Sequence, residues 1–280
     1  MHLLRWKYKV IEWFFLNEGR TPEGLFSFAH IFSVTIVLII LVGLYVFLGI
    51  KYKNNQKAIN NILKVSALIM IALYIIELAG GYFYIYYKRG LTLLTPEGRK
   101  VYLSQFITSM PLFLCDIAIY AIPIIAFTKG KVREVLSDFM GIWGIPMGVI
   151  GTYLAGNVFG RVPVFSFDGL LCIFIHIVPC AVTVFLYYNK ITTLDKKNIK
   201  PALISFFCFS LFVLIYDYIF QSFGANFMFF FSGDGTPFDL FRPYVPSWLY
   251  QVIVFVLYMS YMVLFYVVYI AIKKKIHNKK

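Results

Sequence analysis

Charge is scarce in this sequence. Asp, Glu, Lys and Arg make up 14% of its 280 residues, and there are only 13 acidic side chains and four histidines. So few charges cannot clothe a water-soluble domain of this length, and no polar stretch is long enough to form one separately. Cysteine is equally sparse: Cys115, Cys172, Cys180 and Cys208 all fall inside apolar runs. Two helical turns, about 12 Å, separate Cys172 from Cys180, too far for a disulfide, so no disulfide framework is expected. The first apolar run is too long for the core of a cleavable leader and lacks a small-residue cleavage site, so it is expected to stay as an anchor. No internal repeat of the transporter kind is visible.

What fills the sequence is hydrocarbon: 60% of residues are hydrophobic and the mean hydropathy is +0.78. Charges cluster between apolar runs of about 20 residues, the length that crosses a bilayer as a helix. Seven such runs are predicted, at 28–50, 65–87, 103–127, 139–155, 166–188, 202–223 and 246–272. The expected fold is therefore all-α, a polytopic bundle of about seven spans in a cell membrane. Residues 1–27 are read as an N-terminal interfacial segment, 28–272 as a single transmembrane domain and 273–280 as a basic cytoplasmic tail. Within the first segment, 3–16 mixes Trp6, Trp13 and Phe14 with Arg5, Lys7 and Lys9, as suits a helix lying in the membrane interface.

The net charge of +13 is spread over loops and termini and forms no single basic face, which points to anionic lipid headgroups and away from nucleic acid. Lysine and arginine number 16 on the side of the C-terminal tail and 10 on the other. The positive-inside rule then sets the N-terminus outside and the C-terminus in the cytoplasm, although the loop with Lys88, Arg89, Arg99 and Lys100 argues the other way. No motif implies a cofactor, and nothing sets an oligomeric state.

The fourth run is the shortest. It carries Pro146 with Gly141, Gly144, Gly148 and Gly151, small residues spaced three and four apart on one face. Such a face is expected to pack closely on a neighbouring helix, with a broken or re-entrant helix as the alternative.

An ionisable group costs about 2.5–3.5 kcal/mol near the middle of a span, so each needs a partner, a cavity or a function. Glu77, Asp116, His176 and Asp217 lie inside spans, with His30 and Asp168 near span ends. At about 1.5 Å per residue, Glu77 and His176 lie about 15 Å from the outer end and Cys115 about 18 Å, while Asp217 is at about 9 Å. A single interior pocket collecting Glu77, Cys115 and His176 is the main expectation. Ser104, Thr108, Pro111 and Cys115 share one stripe of the third run, with Gln105, Ser109 and Asp116 beside it; Pro111 should kink that helix and free the carbonyl four residues earlier. Asp168, Cys172, His176 and Cys180 recur every four residues on the fifth run, yet packing is favoured over a metal site there. Beyond the sixth run, Asp217, Gln221 and Asn226 lead into the aromatic stretch GANFMFFFSGDGTPFD, either a cap over a pocket or an interfacial belt.

Pro111 to Asp116, the glycines from Gly141 to Gly148, His176, and Gly224 to Phe227 follow an order and spacing that resemble the YwaF-like bacterial membrane family. The resemblance covers about residues 28–272 and takes in His30. It implies a seven-helix bundle related to eukaryotic transmembrane acyltransferases that remodel ether phospholipids, and more distantly to membrane hydrolases of lipid esters. The family pattern has a histidine two residues after the proline; this chain has Phe113 there, which removes one candidate catalytic group.

The leading functional expectation is an intramembrane acyltransferase or lipid-ester hydrolase. Cys115 would be the nucleophile, His176 the base, and Asp116 or Glu77 its orienting group. Asn226, Asp217, Gln221 and His30 are candidate substrate-binding residues, and no metal is assigned. The alternatives are a small-solute or proton-coupled transporter using Glu77, Asp116, His176 and Asp217, and a non-enzymatic partner protein packing through the glycine face.

Overall fold

The structure is a computed structural model and describes residues 11–277. Its helices are α1 (Phe28–Tyr52), α2 (Gln56–Arg89), α3 (Pro96–Thr108), α4 (Ile117–Phe127), α5 (Gly130–Tyr153), α6 (Gly156–Phe159), α7 (Phe167–Tyr188), α8 (Lys196–Phe220) and α9 (Ser247–His277). No strand occurs among the described residues. Most of the interfacial segment expected at 3–16 lies outside the described residues; residues 11–14 are helical.

Six stretches are long and apolar enough to cross a membrane: α1, α2, α5 continued into α6, α7, α8 and α9. Their surfaces carry exposed Ile39, Leu44, Leu68, Ile215 and Leu264, which suit a hydrocarbon solvent. The bundle is built around α7, whose most apolar stretch is 72% buried against 17–22% for α1, α2, α8 and α9. α5 and α1 pack on it, and α4 fills the space between α2 and α5.

The expected third span departs from the sequence reading. A single kinked helix over 103–127 is replaced by two half-helices, α3 and α4, joined by an irregular segment 109–116. Pro111 has no N–H to give, and the carbonyl it frees, that of Ile107, accepts the Tyr216 hydroxyl at 3.2 Å. Asp116 then folds the segment back by accepting the Phe113 N–H at 3.1 Å. Irregular backbone at membrane depth survives only where protein or a cavity surrounds it, and here both do.

The fourth span is long enough for a full crossing and begins nine residues before its expected start, since 24 residues of α5 extend about 36 Å. Lys131, Arg133, Glu134 and Asp138 in its opening turns disguised that part of the helix. Its glycine face lies on α7. A Cβ added at Gly144 would strike Thr183, one at Gly148 would strike Cys180, and one at Gly151 would overlap the imidazole of His176. Pro146 frees the Ile142 carbonyl, which accepts the Tyr261 hydroxyl of α9 at 3.2 Å.

Asp138, fully buried in α5, organises the connection from α7 to α8. One oxygen accepts the N–H groups of Thr193 and Leu194, both at 2.8 Å, and the other accepts Asn198 Nδ2 at 2.7 Å and the Asp195 N–H at 3.3 Å. Asp195 in turn caps α8 by accepting the Lys197 N–H at 3.1 Å, which holds its carboxyl below the usual carboxylate range. At the opposite end, residues 221–246 form a lid of short 3-10 turns over the bundle.

Candidate functional site

The break between α3 and α4, the second half of α5 and the first half of α7 enclose a cavity of about 350 Å³. Phe113, Leu114 and Cys115 line it from the break, Met147, Ile150 and Gly151 from α5, and Cys172 and His176 from α7. Phe229, Pro237 and Phe238 of the lid roof it. Ile150 and Leu154 border the cavity and are 55% and 38% exposed, so its wall on the α5 side is apolar and accessible.

His176 reaches this cavity because Gly151 has no side chain where the imidazole passes. Its Nδ1 lies 2.7 Å from the carbonyl of Cys172, one turn back on α7. A carbonyl only accepts, so Nδ1 carries the proton and Nε2 is left as a lone pair with no partner among the described residues. The Cys172 thiol sits beside the same ring, 3.7 Å from Nδ1 and 3.9 Å from the Gly151 carbonyl.

Cys115 stands one residue before the N-cap of α4. Its thiol donates to Asp116 Oδ1 at 3.7 Å. The N–H groups of Leu114 and Cys115 have no acceptor elsewhere among the described residues, because the irregular turn withholds the helical carbonyls they would otherwise meet. The cavity is thus lined by a cysteine and a histidine, beside a turn whose backbone N–H groups are uncommitted, in an otherwise apolar setting.

The remaining expected site residues divide. Asp116 is occupied with Phe113 and Cys115, and neither it nor Glu77 hydrogen-bonds the imidazole; the orienting acceptor is the Cys172 carbonyl, in place of the carboxylate expected from the sequence. Glu77 does not line the cavity. It sits on an exposed face of α2, close enough to feel the charge of Asp168 on α7, itself exposed.

His30 is wholly buried and uses both ring nitrogens, accepting from the Phe26 N–H at 3.2 Å and donating to the Thr152 carbonyl at 3.0 Å. It ties α1 to the end of α5 and has no nitrogen left for a substrate. Asn226 is likewise committed within the lid. Its Nδ2 donates to Ser232 Oγ at 2.9 Å and Asp234 Oδ2 at 2.6 Å, and its Oδ1 accepts the Phe231 N–H at 2.9 Å. Gln221 is exposed and away from the cavity wall. Asp217 is buried in α8, its carboxylate without a hydrogen-bond partner among the described residues; the Phe227 N–H approaches it outside full hydrogen-bond geometry.

Asp138, Gly151 and the Cys172 carbonyl were not picked out from the sequence for the parts they play. The spacing of Gly151 along α5 marks it as a packing residue and is the one sequence signal for its place against His176. No group of three or more His, Cys, Asp or Glu side chains among the described residues is arranged to hold a metal ion.

Fold and cavity together define a multi-pass helical membrane protein with a largely apolar pocket among its helices. The sequence matches the TMEM164 family over residues 25–271, and the chain belongs to that family. No curated protein matches it, and no solved structure does.

Proposed function

We propose that the protein is a membrane-embedded enzyme of lipid esters, an acyltransferase or hydrolase in which Cys115 is the nucleophile and His176 the general base. The observation that carries this reading is that Cys115 and His176, whose Nε2 has no hydrogen-bond partner among the described residues, line one cavity bordered by the exposed apolar side chains of Ile150 and Leu154. A small-solute transporter would need a polar path onwards to the tail end of the bundle. The cavity instead ends on Leu114, Trp143 and Met147.

In the first half-reaction His176 Nε2 takes the Cys115 proton and the thiolate attacks the carbonyl carbon of a lipid ester. The N–H groups of Leu114 and Cys115 receive the oxyanion. The ester C–O bond breaks, the leaving alkoxide takes the proton from His176, and an acyl thioester remains on Cys115. In the second half-reaction a lysolipid hydroxyl, or water, gives its proton to Nε2 and attacks the thioester. The C–S bond then breaks and the thiolate is reprotonated from His176. In this reading the tail end, with 16 of the 26 lysines and arginines, meets the anionic headgroups of the cytoplasmic leaflet of the cell membrane.

The test uses purified protein in lipid nanodiscs with a labelled phospholipid donor and a lysophospholipid acceptor, followed by mass spectrometry. The wild type should transfer or release acyl chains and carry a hydroxylamine-sensitive acyl group on Cys115. Cys115→Ala and His176→Ala should each abolish turnover at unchanged folded yield. Full activity in both variants, or none in the wild type with either acceptor, overturns the assignment.

A further inference from the structure

A second void, of about 460 Å³, lies on the tail side of Cys115 between α4, α5 and α8. Its wall is apolar apart from Ser205 and Tyr120, and Ala121 and Ala202 form its floor, 1% and 0% exposed. Tyr120, Ile124 and Phe212 stand at its outer rim, each at least 39% exposed, so the groove opens sideways at the level of the spans and not under the lid.

The groove and the Cys115 cavity are neighbours through a single layer of side chains. The irregular segment 109–116 borders both, with Leu112 facing the groove and Phe113, Leu114 and Cys115 facing the cavity. Phe206, in the groove wall, has its ring 5.8 Å from that of Trp143 and 6.2 Å from that of Tyr258, both of which line the cavity. From Ile117 to Ile124 the groove follows α4 for about 10 Å. A hydrocarbon chain entering there needs no polar partner and lies one layer of side chains from the cavity that Cys115 lines.

We propose that this groove holds the acyl chain of the lipid whose ester meets Cys115, and that the depth left by Ala121 and Ala202 selects chain length. The inference rests on the lipid-ester reading for the identity of the bound chain, and its test does not require turnover. Full-length protein is placed in phosphatidylcholine nanodiscs doped with a phosphatidylcholine whose acyl chain ends in a diazirine, irradiated, and mapped by peptide mass spectrometry.

Label should concentrate on α4 and α8 at the groove and persist in Cys115→Ala. Ala202→Phe should lower the yield for a long-chain probe by about tenfold while sparing a short-chain one, because the added ring occupies the floor. Should that variant fail to fold, Ser205→Trp, at an exposed rim position, should lower the groove label while leaving label on α1 and α9 unchanged. Label spread as densely over α1 and α9 as over α4 and α8, or groove label indifferent to whichever variant folds, overturns the proposal. Groove labelling in a protein without acyl transfer would retire the enzyme reading and leave the groove standing as a chain-binding site.

Discussion

Two histidines inside the bundle, His30 buried and His176 half-buried, differ in how many ring nitrogens the protein consumes. His30 has both engaged, by Phe26 and Thr152, whereas His176 has only Nδ1 engaged, by the Cys172 carbonyl. That difference makes His176 the candidate base. It also makes Gly151→Ala informative, since the new methyl group would occupy the space of the imidazole without removing it. We expect acyl transfer to fall about 100-fold, the penalty for misplacing a base by roughly an ångström, with little change in folded yield. A rate equal to wild type would show that the ring position is irrelevant. Two buried aspartates make a parallel pair. Asp138 accepts four hydrogen bonds, so Asp138→Asn sets an amide N–H₂ against donors and should lower stability by about 3 kcal/mol or more. Asp217 accepts none of full geometry, and Asp217→Asn should be neutral within about 1 kcal/mol or stabilising. Thermal unfolding in detergent measures both, and a larger loss at 217 than at 138 would reverse the assignment of which carboxylate holds the fold.

Among the elements, the contact of α5 with α7 positions the base, and its small-residue face was legible as a spacing of three and four along the sequence. Lipid gives two apolar helices no hydrophobic reason to associate, so their approach depends on van der Waals contact and interhelical hydrogen bonds. Gly144→Leu would push into Thr183, whose hydroxyl donates to the Pro179 carbonyl at 2.8 Å. The variant should lose folded protein on size-exclusion chromatography, unlike Gly43→Leu on α1, where nothing lies within 4 Å of an added Cβ. Equal yields would remove the close crossing as a requirement. The crossings were readable because hydrocarbon thickness imposes a length on every apolar run. The division of 103–127 into α3 and α4 was not, because Met110 to Leu114 is as apolar as a helix interior; hydropathy carries no mark of a break made by one missing N–H and one aspartate side chain. The orienting partner of His176 was invisible for a related reason. It is a backbone carbonyl, present at every residue and therefore distinguished by none. Asn226 had the composition of a binding residue, yet the left-handed backbone at Met228, Phe229 and Asp234 curls the lid around its amide.

For the molecule as a whole, the two ends of the bundle differ in charge and in shape. The tail end gathers the bases that open α2, α5 and α8 and the lysines ending α9, whereas the other end, where Lys88 and Arg89 close α2, carries the lid that roofs the cavity. Moving lysine and arginine across a membrane is disfavoured, so the charge-rich end should stay in the cytoplasm and the lid should face outwards. Cysteine labelling on intact cells tests this with two exposed positions, Glu97→Cys at the start of α3 on the lid side and Lys197→Cys at the start of α8 on the tail side, both in a Cys208→Ser background. A membrane-impermeant maleimide should reach position 97 in intact cells and position 197 only after permeabilisation. The reverse pattern would turn the cavity towards the cytoplasm. Its consequence would be chemical, because the leaflet beside Ile150 and Leu154 supplies any lipid that enters sideways. Under the proposed lipid-ester chemistry, an outward lid would draw donor and acceptor lipids from the outer leaflet, whereas an inward lid would make the anionic lipids of the inner leaflet the first substrates to test.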